Sequence, residues 1–193
     1  MIDHFALLQQ IRQPWLNPDA LKQKYQELSQ RLHPDQQSHR ANRDDVATDF
    51  AAINEAYRIL SNPKLRLQHL LTLEGRAPIS HQPVPKEFAE LFGETGSLVQ
   101  ELDLLITKLK TSNGLTKSLL RSEIVTKQKR GGDLATKLKK EYQACLEELA
   151  NLNQEWNNRS DEVLAQIERL YYKISFLMKW IGHLDERQFQ LSL

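Results

Sequence analysis

The sequence predicts an all-α protein: a four-helix N-terminal domain followed by an elongated three-helix bundle. Three observations carry that expectation. Apolar residues recur at steps of three and four along both halves of the chain, and no segment alternates apolar and polar residues as a half-buried strand does. A single Gly- and Pro-rich stretch, Gly75-Arg76-Ala77-Pro78-Ile79-Ser80-His81-Gln82-Pro83-Val84-Pro85, lies between the two helical regions. Proline lacks the N–H and clashes with the preceding turn, so this stretch cannot continue a helix. The expected organisation is therefore residues 1–75, a linker at 76–85, and residues 86–193.

The N-terminal elements follow in order. A short helix is expected near Asp3–Arg12. Asn17-Pro18 reads as an N-cap followed by proline at the first helical position, after which Leu21, Tyr25, Leu28 and Leu32 line one face. A polar loop runs from His33 to about Arg43. Val46, Phe50, Ile53, Tyr57 and Leu60 then mark a second amphipathic helix, stopped by Ser61-Asn62-Pro63. Two such helices joined by a loop of about ten residues form an antiparallel hairpin. A further helix, near Lys64–Glu74, closes at Gly75.

In the second half, Leu98, Leu102, Leu105 and Leu109 form one stripe, which Ser112-Asn113-Gly114 is expected to kink or break. Gly131-Gly132 is expected to end that helical region. Leu134, Leu138, Tyr142, Cys145, Leu149 and Leu152 form the next stripe. Val163, Ile167, Leu170, Ile174, Leu177, Ile181 and Leu184 step 4-3-4-3-4-3, the 3.5-residue repeat of helices packed on helices.

Composition narrows the function. The chain has 26 Lys and Arg against 25 Asp and Glu, a net charge of +1, which excludes a wholesale polyanion binder. No apolar run is long enough to span a membrane, and the first residues lack the pattern of a signal peptide, so a cytoplasmic protein is expected. The lone Cys145 cannot form an internal disulfide or a thiolate cage, and its place on an apolar stripe marks it as a buried structural thiol. There is no phosphate-binding glycine loop, no nucleophile elbow and no histidine pair at metal-ligand spacing. No enzyme activity, metal or cofactor is expected.

One tripeptide stands apart, His33-Pro34-Asp35 at the mouth of the helical hairpin. Tyr25, Leu28 and Leu32 precede it; Phe50, Ile53-Asn54-Glu55-Ala56-Tyr57, Leu60, Asn62-Pro63 and Arg66 follow it. Residues 3–75 thus resemble a J-domain, the module by which co-chaperones stimulate the ATPase of DnaK-type heat-shock chaperones. The resemblance implies that His33, Pro34 and Asp35, together with a basic second helix, dock on the chaperone. That basic face reduces here to Lys22, Lys24 and Arg31, with Arg66 added from the helix that follows the hairpin, while Gln26 and Glu27 occupy positions often basic in the family. The start Asp3-His4-Phe5-Ala6-Leu7-Leu8 and the exit Asn62-Pro63-Lys64-Leu65-Arg66-Leu67-Gln68-His69-Leu70-Leu71 resemble the HscB (Hsc20, Jac-type) family. That likeness implies a J-domain followed by a three-helix bundle. It further implies a co-chaperone that brings an iron–sulfur scaffold protein (IscU) to the chaperone HscA.

Two segments of the second half bear on a client. In the family the first bundle helix carries an apolar and acidic cluster for the scaffold, and the corresponding region here is Leu91-Phe92-Gly93-Glu94-Thr95-Gly96. On the last helix Tyr172, Phe176 and Trp180 fall outside the packing seam, spaced four apart. Either a neighbouring element covers this stripe or it is an aromatic patch for a partner. We take the second reading and assign client contact to Leu91, Phe92, Tyr172, Phe176 and Trp180. Residues 86–104 carry one Lys and five acids, whereas 105–140 carry ten basic and two acidic residues. The expected role of 105–140 is a charge-complementary face between acidic helices. A nucleic-acid or membrane-surface adaptor is the distant alternative, and the absence of aromatics between 105 and 140 disfavours base stacking. A different client of the same J-domain is the nearer one.

Overall fold

The structure, a computed structural model, describes residues 2–32, 43–78 and 86–192. The described residues are helices, turns and loops, with no strand among them. The chain separates into two compact units, one formed by Met1–Ser80 with Leu146–Tyr171, the other by His81–Cys145 with Tyr172–Leu193. Residues 146–171 thus pack with the N-terminal helices, a grouping that the helical periodicity of 86–193 does not announce. Of the expected linker, residues 79–85 lie outside the described residues, as do His33, Pro34 and Asp35.

In the first unit three helix starts are set by capping side chains. Asp3 accepts from the Phe5 and Ala6 amides and starts α1 (His4–Leu7). Asn17 accepts from the Asp19 and Ala20 amides and, with Pro18 at the first position, starts α2 (Pro18–Arg31). Helix α3 (Arg43–Ser61) ends where Asn62 caps α4 (Pro63–Leu73) through the Leu65 amide. Such caps satisfy donors that would otherwise have no partner in the first helical turn. Helix α4 gives way at Gly75, whose φ of 76° is in the left-handed region that glycine enters without strain.

Helices α2 and α3 pack face to face. Leu21, Leu28, Ile53, Ala56 and Leu60 are buried. The Tyr25 and Tyr57 rings stack 4.2 Å apart, and the Tyr25 hydroxyl donates to Asn54 Oδ1 at 2.9 Å. The chain from 146 to 171 adds buried Leu149, Leu152, Trp156, Val163, Leu164, Ile167 and Leu170 to this core. Asn153 reads the backbone of Trp15 twice, accepting from its amide at 3.0 Å and donating to its carbonyl at 2.9 Å. The Trp156 indole N–H donates to the Arg12 carbonyl, so the one polar atom of a buried ring is satisfied. Ion pairs Arg76–Asp161 at 2.8 Å and Arg159–Glu74 at 3.3 Å flank these contacts.

The second unit begins with a 3-10 turn at Lys86–Phe88 and continues into α5 (Ala89–Thr111). A break at Ser112-Asn113 follows, where Asn113 caps α6 (Gly114–Leu119) through the Thr116 amide. Helices α7 (Arg121–Leu152) and α8 (Asp161–Ser192) supply the rest, α7 up to Cys145 and α8 from Tyr172. Leu98, Leu102, Leu105, Leu134, Leu138, Ile174, Leu177 and Leu184 form the core.

Gly131-Gly132 does not end a helix: α7 runs through both, which corrects the expected boundary. Two glycines cost about 1 kcal/mol each relative to alanine. Burying Leu134, Leu138 and their neighbours on the same helix outweighs that. Gly131 is itself buried against α8, where an added Cβ would run into the end of the Gln188 side chain. Gln188 donates to the Gln128 carbonyl at 2.8 Å, and Gln128 donates to the Leu191 carbonyl at 3.2 Å, pinning the end of α8 to α7.

Candidate functional site

The chaperone-facing residues expected on α2 stand on a well-supported helix. Leu21 and Leu28 anchor its inner face, which leaves Lys22 and Arg31 exposed and Lys24 half-buried. Lys24 pairs with Glu27 at 3.7 Å, and Glu27 also accepts from the Gln23 amide at 3.3 Å. Part of the positive charge on this face is therefore countered locally. The tripeptide expected to complete the site, 33–35, lies outside the described residues.

Arg66 is not on this surface. It is 4 % exposed, its Nε donates to the Pro14 carbonyl at 2.9 Å, and a terminal nitrogen donates to the Leu60 carbonyl at 2.7 Å. Its expected docking role is corrected: the guanidinium binds the loop before α2 to the end of α3 from within the core. A charge in sequence carries no mark of burial, and two carbonyls at helix and loop ends are what make this burial tolerable.

The second site lies wholly in the second unit. Four of the five residues expected to meet a client converge there, two from each of α5 and α8. The Phe92 ring meets Trp180 edge-on at 4.7 Å and Phe176 edge-on at 5.8 Å. Leu91, Phe92, Phe176 and Trp180 line a shallow apolar depression with Phe88, Thr95, Leu138 and Leu177. Tyr172 is half-buried one turn earlier on α8 and is not among the lining side chains. Phe88, Thr95 and Leu138 were not singled out from sequence. Phe88 stands four residues before Phe92 and Leu138 on the α7 stripe, and that spacing is the signal that could have found them.

The depression is apolar at its centre and charged at its rim. Thr95 satisfies its hydroxyl by donating to the Leu91 carbonyl at 2.7 Å, whereas the Trp180 indole N–H is buried with no acceptor among the described residues. At the edge, Lys173 pairs with Glu87 at 2.6 Å and lies 5.6 Å from the Phe88 ring centre, and Lys137 pairs with Glu94 at 3.8 Å. Phe92, Phe176 and Trp180 are half-buried rather than sealed, and the Trp180 ring lies beside Gly96 of α5 at ordinary contact distance. Half-exposed aromatics ringed by paired charges are the anatomy of a protein-binding patch.

Several basic residues of 105–140 are paired with acids, as a charge-complementary face requires. Glu101 meets both Lys127 and Arg130, and Lys139 meets Asp185 at 3.2 Å. The hydrogen bond from Lys127 is the main reason that the Glu101 carboxyl is held below its ordinary range. Among the described residues, no group of three or more His, Cys, Asp or Glu side chains is placed to hold a metal ion. No described helix is long and apolar enough to cross a membrane.

Comparison with known proteins agrees with this architecture. Residues 3–69 match the DnaJ domain family. The chain is 28 % identical over 195 residues to the co-chaperone protein HscB of Proteus mirabilis, covering 97 % of this chain and 98 % of that protein. In fold it is similar to the chaperone HscB from Vibrio cholerae, with a TM-score of 0.60 and 22 % identity, covering 98 % and 99 % of the two chains. It is also similar to human co-chaperone protein HscB, with a TM-score of 0.53 and 19 % identity, covering 98 % and 81 %.

Proposed function

The chain belongs to the HscB family of J-domain co-chaperones, non-enzymatic proteins whose J-domain works with an Hsp70-type chaperone, and from that premise we propose that it delivers an iron–sulfur scaffold protein to an HscA-type partner in the cytoplasm. His33, Pro34 and Asp35, with Lys22, Lys24 and Arg31, engage the chaperone and stimulate its ATPase. Leu91, Phe92, Phe176 and Trp180 hold the client, with Tyr172 at the edge. The protein contributes no bond-making chemistry. It raises the local concentration of client at a chaperone that it simultaneously triggers.

The observation that carries the client half of this reading is the aromatic triad of Phe92, Phe176 and Trp180. It spans two helices, is only half-buried and is rimmed by ion pairs. A bundle that needed these rings solely for packing would seal them. The test is the affinity of a purified iron–sulfur scaffold for wild type and for Phe176→Ala. Loss of a central aromatic anchor is expected to weaken binding by about 1–3 kcal/mol while chaperone stimulation persists. Equal affinity for both proteins would remove the patch from the client site.

A further inference from the structure

The five strongly exposed large hydrophobic residues of the second unit, among the described residues, cluster toward one end of it. Leu104 is 73 % exposed, Leu115 75 % and Leu119 76 %, and Val125 and Phe189 are each more than half exposed. Leu115 and Leu119 lie one turn apart on α6, a helix that buries none of its residues. Leu104 stands about 10 Å along α5 from its end at Thr111, and Val125 about 6 Å into α7 from Arg121. The Gln128–Gln188 and Gln128–Leu191 hydrogen bonds bring the end of α8, and with it Phe189, to α7 two turns beyond Arg121.

Charge singles out the same end. From Leu104 to Val125 the chain carries Lys108, Lys110, Lys117 and Arg121 against a single acid, Glu123. All four are exposed. Farther along α7, Lys127, Arg130, Lys137 and Lys139 each meet a carboxylate. The charge-complementary packing that accounts for those residues therefore does not account for the tip.

We infer that this tip, formed by the end of α5, α6 and the start of α7, docks on an anionic lipid surface, its leucines entering the interface and its lysines and Arg121 meeting the headgroups. Exposed aliphatics beside an excess of cations fit that surface on both counts, since apolar burial and attraction to anionic lipid add. Lysine stems can lie along the acyl boundary while their ammonium groups stay in water. A second copy meeting the same face would bring two surfaces of net positive charge together. Single-stranded nucleic acid would call for a series of stacking rings, and Phe189 is the one ring among the five exposed hydrophobic residues of this patch. A protein partner is favoured by tryptophan, tyrosine and arginine anchors, whereas this patch is mainly leucine and lysine.

The test is co-sedimentation of the full chain with vesicles of phosphatidylcholine alone and of phosphatidylcholine mixed with phosphatidylglycerol. Binding to the mixed vesicles only, declining as salt rises, is the expected result. Lys117→Gln with Arg121→Gln is expected to lower partitioning by about thirtyfold at low salt, and Leu115→Ser with Leu119→Ser by about a hundredfold. Because Leu115, Lys117, Leu119 and Arg121 are all exposed, both variants are expected to unfold at the wild-type temperature by circular dichroism, which shows that they are folded. Phe176→Ala is expected to bind vesicles normally, which separates this surface from the client patch. Absence of the protein from the mixed-vesicle pellet overturns the inference. So does equal binding to both vesicle types, leucine-dependent dimerisation in solution, or leucine-dependent binding to soluble polyglutamate without vesicle binding.

Discussion

Replacing Arg66 by alanine separates a structural cation from a docking one. The native guanidinium donates to the buried carbonyls of Pro14 and Leu60, at 2.9 and 2.7 Å. Removing it leaves both acceptors without that donor, at about 1–3 kcal/mol for each buried group left unsatisfied. The desolvation of a buried charge is relieved at the same time, which offsets part of the loss. A net destabilisation of about 2–4 kcal/mol is expected, which for a chain of this size lowers the melting temperature by about 5–15 °C. Arg66→Lys keeps one donor group able to reach one carbonyl and is expected to fall between. The assay pairs thermal unfolding by circular dichroism with chaperone ATPase stimulation, measured at a temperature where the variant is folded. Reduced melting temperature with normal stimulation is the expected pair. Unchanged melting with lost stimulation would refute the structural assignment and return Arg66 to the chaperone interface.

Two other outcomes follow from charge. His4 and His69 lie with ring centres 4.6 Å apart beside Asp3, Glu55, Arg12 and Arg58, and His69 Nε2 accepts from the His4 amide at 3.1 Å. Burial above all holds both imidazoles below their ordinary value of 6.5, and for His69 the neighbouring His4 adds to this. The unfolded chain therefore takes up more protons, so this contribution to stability is complete above 6.5 and is lost as pH falls through the lower folded values. Melting temperature is expected to drop over that window and the drop to shrink in His69→Phe; a flat profile in wild type contradicts the placement. On α2, Glu27→Lys removes the acid that pairs with Lys24 at 3.7 Å. It is expected to tighten chaperone binding at low salt, with the gain fading as salt rises; unchanged or weaker binding at low salt would show that this face does not work by charge.

Much of this fold is written in local signals. Asn17-Pro18 and Asn62-Pro63 name their own helix starts, because an Asx cap and a proline at the first position each act within one turn. The 3.5-residue seam of α8 is visible for the same reason, and six of its seven residues, all but the half-buried Ile181, are buried. The features that were not legible depend on distance in sequence. Gly131-Gly132 reads as a stop by propensity, and only packing against α8 shows why the helix continues. Nothing near Trp156 announces that its indole will donate to Arg12, 144 positions away. The aromatic stripe on α8 could be seen as three rings off the seam. That Phe92 meets two of them, and so builds a patch rather than an exposed row, required the packing of α5 on α8.

The steady-state ATPase rate of an HscA-type chaperone, measured with this protein and with its His33→Gln variant, bears most directly on the co-chaperone reading. Wild type is expected to raise the rate and the scaffold protein to raise it further, whereas His33→Gln, still folded and still binding the scaffold, raises it in neither condition. Equal stimulation by the two proteins, or none by wild type, would contradict it.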